Sequence, residues 1–319
     1  MIKLLTWISD HLLYLVCAVA AFSLFFPSPG SGMGWLVSPL LAFMVLNVSM
    51  TINFKDLREV VKHPFVILWG VFLSFVVMAL FSLIIGKFFL PGSADLSTGQ
   101  LLLGSLPADI SAPLMVYLIG GDTALATTML VIEMILTPFV LPNILSVFGG
   151  VTFAVPASYL VVELIGIIII PIILGMLLNH YSREIAEKKD AWSGIASLCY
   201  IMLLFVVVSS NARAILSLKE IAGIILILEI SLNLFGFGLA YGTKIIFALK
   251  KEIYSPLIFI VSTKEFGFAP AVVDVMRINQ AVVIPSTLYA VVQMISSPLM
   301  VKAVKKLETN ADFRAGDWS

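Results

Sequence analysis

The sequence predicts an all-α membrane protein of ten transmembrane helices, arranged as two inverted five-helix repeats with broken helices four and nine crossing at the core. Three observations predict it: an excess of apolar residues, ten apolar runs of spanning length, and paired motifs that recur at nearly one spacing. Of 319 residues, 60% are hydrophobic and 12% charged, whereas soluble domains run near half apolar and a quarter charged. One globule of this size cannot hide so much apolar surface, so lipid must be the solvent for much of it. Nineteen acids balance 19 Lys and Arg, which leaves no basic face for nucleic acid. Cys17 and Cys199 lie in apolar runs without disulfide or metal spacing, and are expected as small buried hydrophobes.

A spanning helix needs roughly 20 apolar residues. Runs of that kind fall near 8–26, 35–53, 65–89, 99–119, 124–147, 157–179, 192–212, 221–247, 253–276 and 281–303. The first, with Lys3 ahead of it and small residues at Ala18, Ala20 and Ala21, has the outline of a signal peptide. The repeat needs it instead as its first helix. The links are short, so no separate soluble domain is expected. Residues 1–150 form the first repeat, 151–304 the second, and 305–319 a polar cytoplasmic tail expected to fray into solvent.

Lys and Arg orient the bundle, because short cytoplasmic loops collect them. With the N-terminus inside, the inner segments hold Lys3, Lys55, Arg58, Lys62, Arg183, Lys188, Lys189, Lys244, Lys250, Lys251, Lys302, Lys305, Lys306 and Arg314. The outer links hold Lys87, Arg213, Lys219 and Arg277. Both termini are therefore expected in the cytoplasm, with the chain in the plasma (inner) membrane.

The repeat rests on order and spacing. Helix five ends Met134-Ile135-Leu136-Thr137-Pro138, and helix ten ends Met294-Ile295-Ser296-Ser297-Pro298, an offset of 160 residues. Ser111-Ala112-Pro113 in helix four matches Phe268-Ala269-Pro270 in helix nine, an offset of 157. Asn53-Phe54-Lys55-Asp56-Leu57 is weakly echoed by Leu216-Ser217-Leu218-Lys219-Glu220. Five helices per repeat is odd, so the second copy enters from the opposite side, and the seam of such a repeat holds the transport site near the midplane.

Both Ala-Pro positions fall inside apolar spans. Proline removes a backbone bond and clashes with the preceding turn. Lipid cannot satisfy the freed carbonyls, so such a break survives only against protein or a water-filled cavity. A single proline reads as a kink; two at repeat-equivalent positions, each preceded by charge, read as paired breaks crossing at a site. Leu106-Pro107-Ala108-Asp109-Ile110-Ser111 precedes one break and Thr263-Lys264-Glu265-Phe266-Gly267 the other. Acids inside a membrane face a cavity or a partner. Asp109, Glu133, Glu163, Glu229 and Glu265 share one intramembrane base, Lys264, and cannot all be ionised cheaply. A carboxyl poised between its two states is what a proton-coupled carrier requires. For some of them, Glu163 and Glu229 above all, a cap or an interface is the plainer reading. Neighbours on a helix point about 100° apart, but at a break Lys264 and Glu265 can converge. Lys264 then serves as counter-ion to Glu265 or Asp109, or attracts an anionic substrate with the positive ends of the half-helices.

Several stretches together carry a likeness: Met44 to Lys62 (MVLNVSMTINFKDLREVVK), Leu106-Pro107, Gly121-Asp122-Thr123-Ala124-Leu125, Glu265-Phe266-Gly267 and the surroundings of Pro285. Over most of its length the chain resembles the bile acid:sodium symporter family, within the wider group that includes auxin efflux carriers. The resemblance implies a panel domain and a core domain, substrate in the crevice between them, and two sodium ions behind the crossover of helices four and nine. The departures bear on those ions. Family members carry Ser-Asn where this chain has Ala112-Pro113, and Gln-Asn where it has Ala269-Pro270. The helix-three glutamine of the second sodium site falls on Ser74, and the helix-five hydroxyls on Ala126 and Leu130, with Thr127 and Thr128 close by in register. Only Glu265 survives among the side-chain ligands, as a residual sodium site. Lys264 holds a fixed positive charge where sodium would sit, and prolines at both crossovers resemble the auxin-carrier branch.

The substrate or ion site is therefore expected from Asp109, Ser111, Pro113, Thr128, Glu133, Thr263, Lys264, Glu265 and Pro270, with no resident cofactor or metal. Phe266, Phe268 and Met115 supply an apolar lining that suits a sterol, an aromatic acid or a keto acid. The expected function is secondary active transport of a small organic anion by alternating access, coupled to H+ or independent of sodium. The alternatives are a sodium-coupled symporter of bile-acid-like anions, with Na+ as coupling ion, and a membrane sensor that transports nothing. No protease, His-Glu-x-x-His or prenyl-phosphate motif points to an enzyme.

Overall fold

A computed structural model describes residues 11–50, 62–149, 157–182, 189–218 and 220–316, and every element among them is helix or turn. Lys3, Lys55, Arg58, Arg183, Lys188, Lys219 and the Asn53–Leu57 motif lie outside the described residues.

The chain opens with α1 (Leu12–Phe25) and α2 (Gly34–Ser49). α3 (Pro64–Phe89) starts on a proline, whose missing N–H costs nothing in a first turn, and carries a π turn at Leu73–Val77. α4 (Ala94–Gly104) begins at Ser93, whose hydroxyl accepts from the Leu96 N–H at 3.3 Å, with Asp95 in its positive first turn. After an irregular stretch comes α5 (Ala112–Leu118), again with proline near its start. α6 (Thr123–Phe148) is capped by Asp122, which accepts from the Leu125 N–H at 2.9 Å. α7 (Ser158–Tyr181) has its own π turn at Ile165–Ile169. α8 (Lys189–Ser217), α9 (Glu220–Phe247) and α10 (Lys251–Ser262) follow. A second irregular stretch leads to α11 (Phe268–Met276) and then α12 (Ile284–Gly316).

Among the described residues, six helices are long and apolar enough to cross a membrane: those at Pro64–Phe89, Thr123–Phe148, Ser158–Tyr181, Gly194–Ser217, Ile221–Phe247 and Gln280–Lys306. Large apolar side chains face outward along them, Leu68, Ile84 and Phe88 on α3 and Ile227, Ile245 and Ile246 on α9. Water would not tolerate such belts; lipid does. The chain is an integral membrane protein.

Three sequence expectations change. Pro138 and Pro298 do not end their helices, because α6 and α12 run through them to Phe148 and Gly316. The polar tail accordingly continues as helix instead of fraying, since Lys, Glu and Ala favour helix once a long segment has nucleated. Cys17 is exposed on α1, on the apolar face that would meet lipid.

The helices pack in two groups. α1 and α2 pack on α8, and α2 also on α7. The other group holds α3, α4, α5, α6, α9, α10 and α12; it meets the first where α6 packs on α7 and α12 on α1 and α8, and α11 touches α2 and α7. Gly236 lets α9 lie directly on the end of α10: a Cβ there would stand 2.6 Å from Ser262 Cα.

Candidate ion and substrate site

Two helix breaks meet inside the second group. α4 stops at Gly104 and the chain is irregular until α5, while α10 stops at Ser262 and Thr263 is extended (φ −105°, ψ 150°) before α11. Backbone groups freed by such breaks must be satisfied by protein. Here they satisfy each other: the Glu265 N–H donates to the Pro107 carbonyl at 2.9 Å, and the Ile110 N–H donates to Glu265 Oε2 at 3.2 Å. The irregular segments after α4 and α10 therefore meet.

Lys264 lies at the crossing with no exposed surface. Its ammonium donates to the Ser74 carbonyl at 3.1 Å, to Ser74 Oγ at 2.9 Å and to the Leu106 carbonyl at 2.9 Å. An ammonium has three protons, and all are used. The two carbonyls are available for a structural reason. Leu106 belongs to the α4 break. In the π turn of α3 the Met78 N–H, the regular partner of the Ser74 carbonyl, bonds to the Leu73 carbonyl instead. Ser74 also links the lysine to an acid: its hydroxyl donates to Glu133 Oε2 at 3.1 Å, which accepts the Ala108 N–H at 2.8 Å as well.

This corrects the expected pairing. Lys264 faces Glu133 through Ser74, not Asp109 or Glu265. Asp109 is held by its own turn and by α12: Oδ1 accepts from the Ser111 N–H at 2.7 Å and from the Ser111 hydroxyl, and Oδ2 from Gln293 Nε2 at 2.8 Å. The same Gln293 accepts the Lys264 backbone N–H at 2.9 Å through Oε1. One glutamine on α12 thus clamps both breaks. Glu265 spends Oε2 on Ile110, while its Oε1 and Oε1 of Glu133 are buried without a hydrogen-bond partner.

Of the remaining expected residues, Pro113 is buried in the first turn of α5 and Pro270 is half-buried in the first turn of α11. The Thr263 and Thr128 hydroxyls donate back to Phe259 at 2.7 Å and Ala124 at 2.8 Å, each on its own helix. Phe266 and Phe268 are fully buried, Phe266 edge-on against Tyr200 at 5.6 Å, so in this conformation they pack the core. Gln293 was missed because a neutral amide within an apolar run carries no sequence signal of its own. Ser74 was noted only as a replaced sodium ligand. Glu163 is half-buried on α7, in keeping with its plainer reading, whereas Glu229 on α9 has no exposed surface.

The site therefore gathers three carboxyls and one saturated ammonium, all without exposed surface. Such an arrangement can hold and exchange protons, and it places a tethered cation among oxygens of the kind that ligate a free one. The sodium ligands expected by resemblance are poorly provided: Ala126 and Leu130 offer α6 no hydroxyl, and the Ser74 oxygens are taken by Lys264.

A family model described as the Sodium Bile acid symporter family matches residues 38–218. That stretch contains Ser74, Leu106, Asp109 and Glu133. The "Uncharacterized sodium-dependent transporter YocS" of Bacillus subtilis (strain 168) is 26% identical over 205 residues, which is 63% of this chain and 62% of the relative. The "Uncharacterized protein YbaS" of the same organism is 27% identical over 187 residues, 58% of this chain and 60% of the relative. The "Probable sodium/metabolite cotransporter BASS1, chloroplastic" of Oryza sativa subsp. japonica is 27% identical over 188 residues, 57% of this chain and 46% of the relative. The chain spans less than two thirds of the length of each of these relatives. With more than half of its residues matched by the family model, the chain belongs to the sodium bile acid symporter family.

Proposed function

We propose that this protein is a secondary active transporter that carries a small organic anion by alternating access and works with protons, or without a coupling ion, instead of sodium. One observation carries the reading: the Lys264 ammonium is fixed at the helix crossing by the Ser74 and Leu106 oxygens. An ammonium there repels a second cation and occupies its ligands. Three buried carboxyls share the site with that single ammonium, and protons are the simplest way to balance the surplus negative charge. In this reading the second helix group is a core that moves against the first as a panel, across ten crossings in two inverted repeats with both termini in the cytoplasm.

A second reading, sodium symport, draws on the names of two relatives and on Glu265 Oε1, a buried oxygen without a donor. Proteoliposomes separate the two. Uptake of labelled taurocholate, phenylacetate and pyruvate is followed under an imposed pH gradient and, separately, under a sodium gradient with pH clamped. The proposal expects uptake of at least one of these anions that follows the pH gradient or needs neither gradient. Uptake that requires sodium at clamped pH overturns it in favour of symport.

A further inference from the structure

Away from the crossing, a fourth buried acid lies inside the bundle. Glu229 on α9 has no exposed surface, and neither has Gln100 on α4. One bond joins them, from Gln100 Nε2 to Glu229 Oε2 at 3.3 Å. The other oxygen of each group, Gln100 Oε1 and Glu229 Oε1, is buried without any donor. Two acceptors in that condition are costly, because neither water nor lipid can supply the missing hydrogen. Exchanging the amide nitrogen and oxygen does not help, since it sets Gln100 Oε1 against a carboxylate oxygen.

A single proton removes both faults. On Glu229 Oε1 it makes a carboxylic acid whose O–H donates to Gln100 Oε1, while Gln100 Nε2 goes on donating to Oε2. We infer that Glu229 and Gln100 form a proton-binding site separate from the crossing, a neutral acid–amide pair between α9 and α4. Among the described residues, the neighbouring side chains that bond around this pair are neutral hydroxyls. On α3 the Ser82 hydroxyl donates to the Gln100 carbonyl; on α12 Tyr289 donates to the Ser262 carbonyl that ends α10.

The site is also wired toward the crossing. One turn along α9, Asn233 Nδ2 donates to the Ser262 carbonyl at 3.0 Å and to the Tyr289 hydroxyl at 3.2 Å. One turn along α12 from Tyr289 is Gln293, which holds Lys264 and Asp109. Asn233 Oδ1 is itself buried without a donor. The proton-binding claim does not depend on what the crossing transports.

Infrared difference spectroscopy on the purified full chain tests it. Wild type minus Glu229→Gln at neutral pH should show the carbonyl band of one protonated carboxyl, shifted in D2O. Glu229→Gln should fold normally, because an amide N–H replaces the acid O–H toward Gln100. Gln100→Leu should keep the acid band but move it to higher frequency, as the Nε2 donor to the acid's carbonyl oxygen is removed. Loss of carboxylate bands in place of the acid band overturns the inference. So does a rise in Tm with sodium chloride that wild type shows and Glu229→Gln lacks, which would make these oxygens a sodium site.

Discussion

Replacing Lys264 by Met keeps most of the side-chain volume and removes the ammonium. Three hydrogen bonds go with it, to the Ser74 carbonyl, Ser74 Oγ and the Leu106 carbonyl at 3.1, 2.9 and 2.9 Å. Two buried carbonyls lose a donor, and Glu133, linked to the ammonium through the Ser74 hydroxyl at 3.1 Å, loses its counter-charge. Removing one partner of a buried ion pair costs roughly 3–5 kcal/mol. An orphaned acceptor costs about 1–3 kcal/mol, but a proton taken up by Glu133 offsets part of the total. A loss of about 4 kcal/mol is expected. Glu133→Gln removes the stranded charge while keeping an oxygen for the Ala108 N–H, so Lys264→Met/Glu133→Gln should recover roughly 2 kcal/mol, within the range of coupling energies for neighbouring residues. Equilibrium unfolding in mixed micelles measures all four proteins of the cycle. Additive losses would show that Lys264 and Glu133 do not sense each other, and the proposed tethered cation would lose its counter-ion.

Glu265→Gln should abolish anion uptake while the purified protein keeps its Tm within a few degrees, because one amide oxygen still accepts the Ile110 N–H; uptake near the wild-type rate would remove Glu265 from the site. Lys264→Ala should reduce uptake far more than Arg213→Ala, since Arg213 is exposed; equal and small effects would place the site elsewhere. Sodium at a hundred times its dissociation constant would stabilise a native binding site by about 2.7 kcal/mol, so a sodium titration of Tm in detergent is expected to be flat where a pH titration is not. Ala248 ends α9 with φ 48°, and the Leu249 N–H bonds back to the Lys244 carbonyl at 3.1 Å. Glycine is the natural residue in that left-handed position, and Ala248→Gly should stabilise by about 1 kcal/mol on chemical unfolding.

Apolar length disclosed the six helices long enough to cross a membrane, and Pro113 and Pro270 marked the two breaks, because both signals are local. The sequence also singled out Asp109 and Lys264, which one glutamine, Gln293, touches. It misled on who faces whom. Adjacent residues were assumed to converge at a break, yet Lys264 reaches Ser74 and Leu106 across 190 and 158 residues of sequence. No single sequence encodes a pairing at that distance. The π turn that frees the Ser74 carbonyl left no composition signal, because Leu73–Val77 is as apolar as the α-helix around it. Glu229 and Gln100 fared similarly: an acid and an amide in two apolar runs show their partnership only once the helices are packed.

That π turn has a consequence of its own. A π turn holds one residue more than the α-turn it replaces, so α3 carries a surplus residue. Deleting any one residue between Leu73 and Val77 would restore the ordinary ladder and recapture the carbonyl that anchors Lys264. Because the bulge absorbs the extra residue, the downstream half of the helix would keep its facing, with Phe81 still stacked on Phe235 at 3.9 Å. The lysine's berth is thus written in how many residues the helix contains, and a side-chain substitution at Ser74 leaves the backbone half of that berth intact.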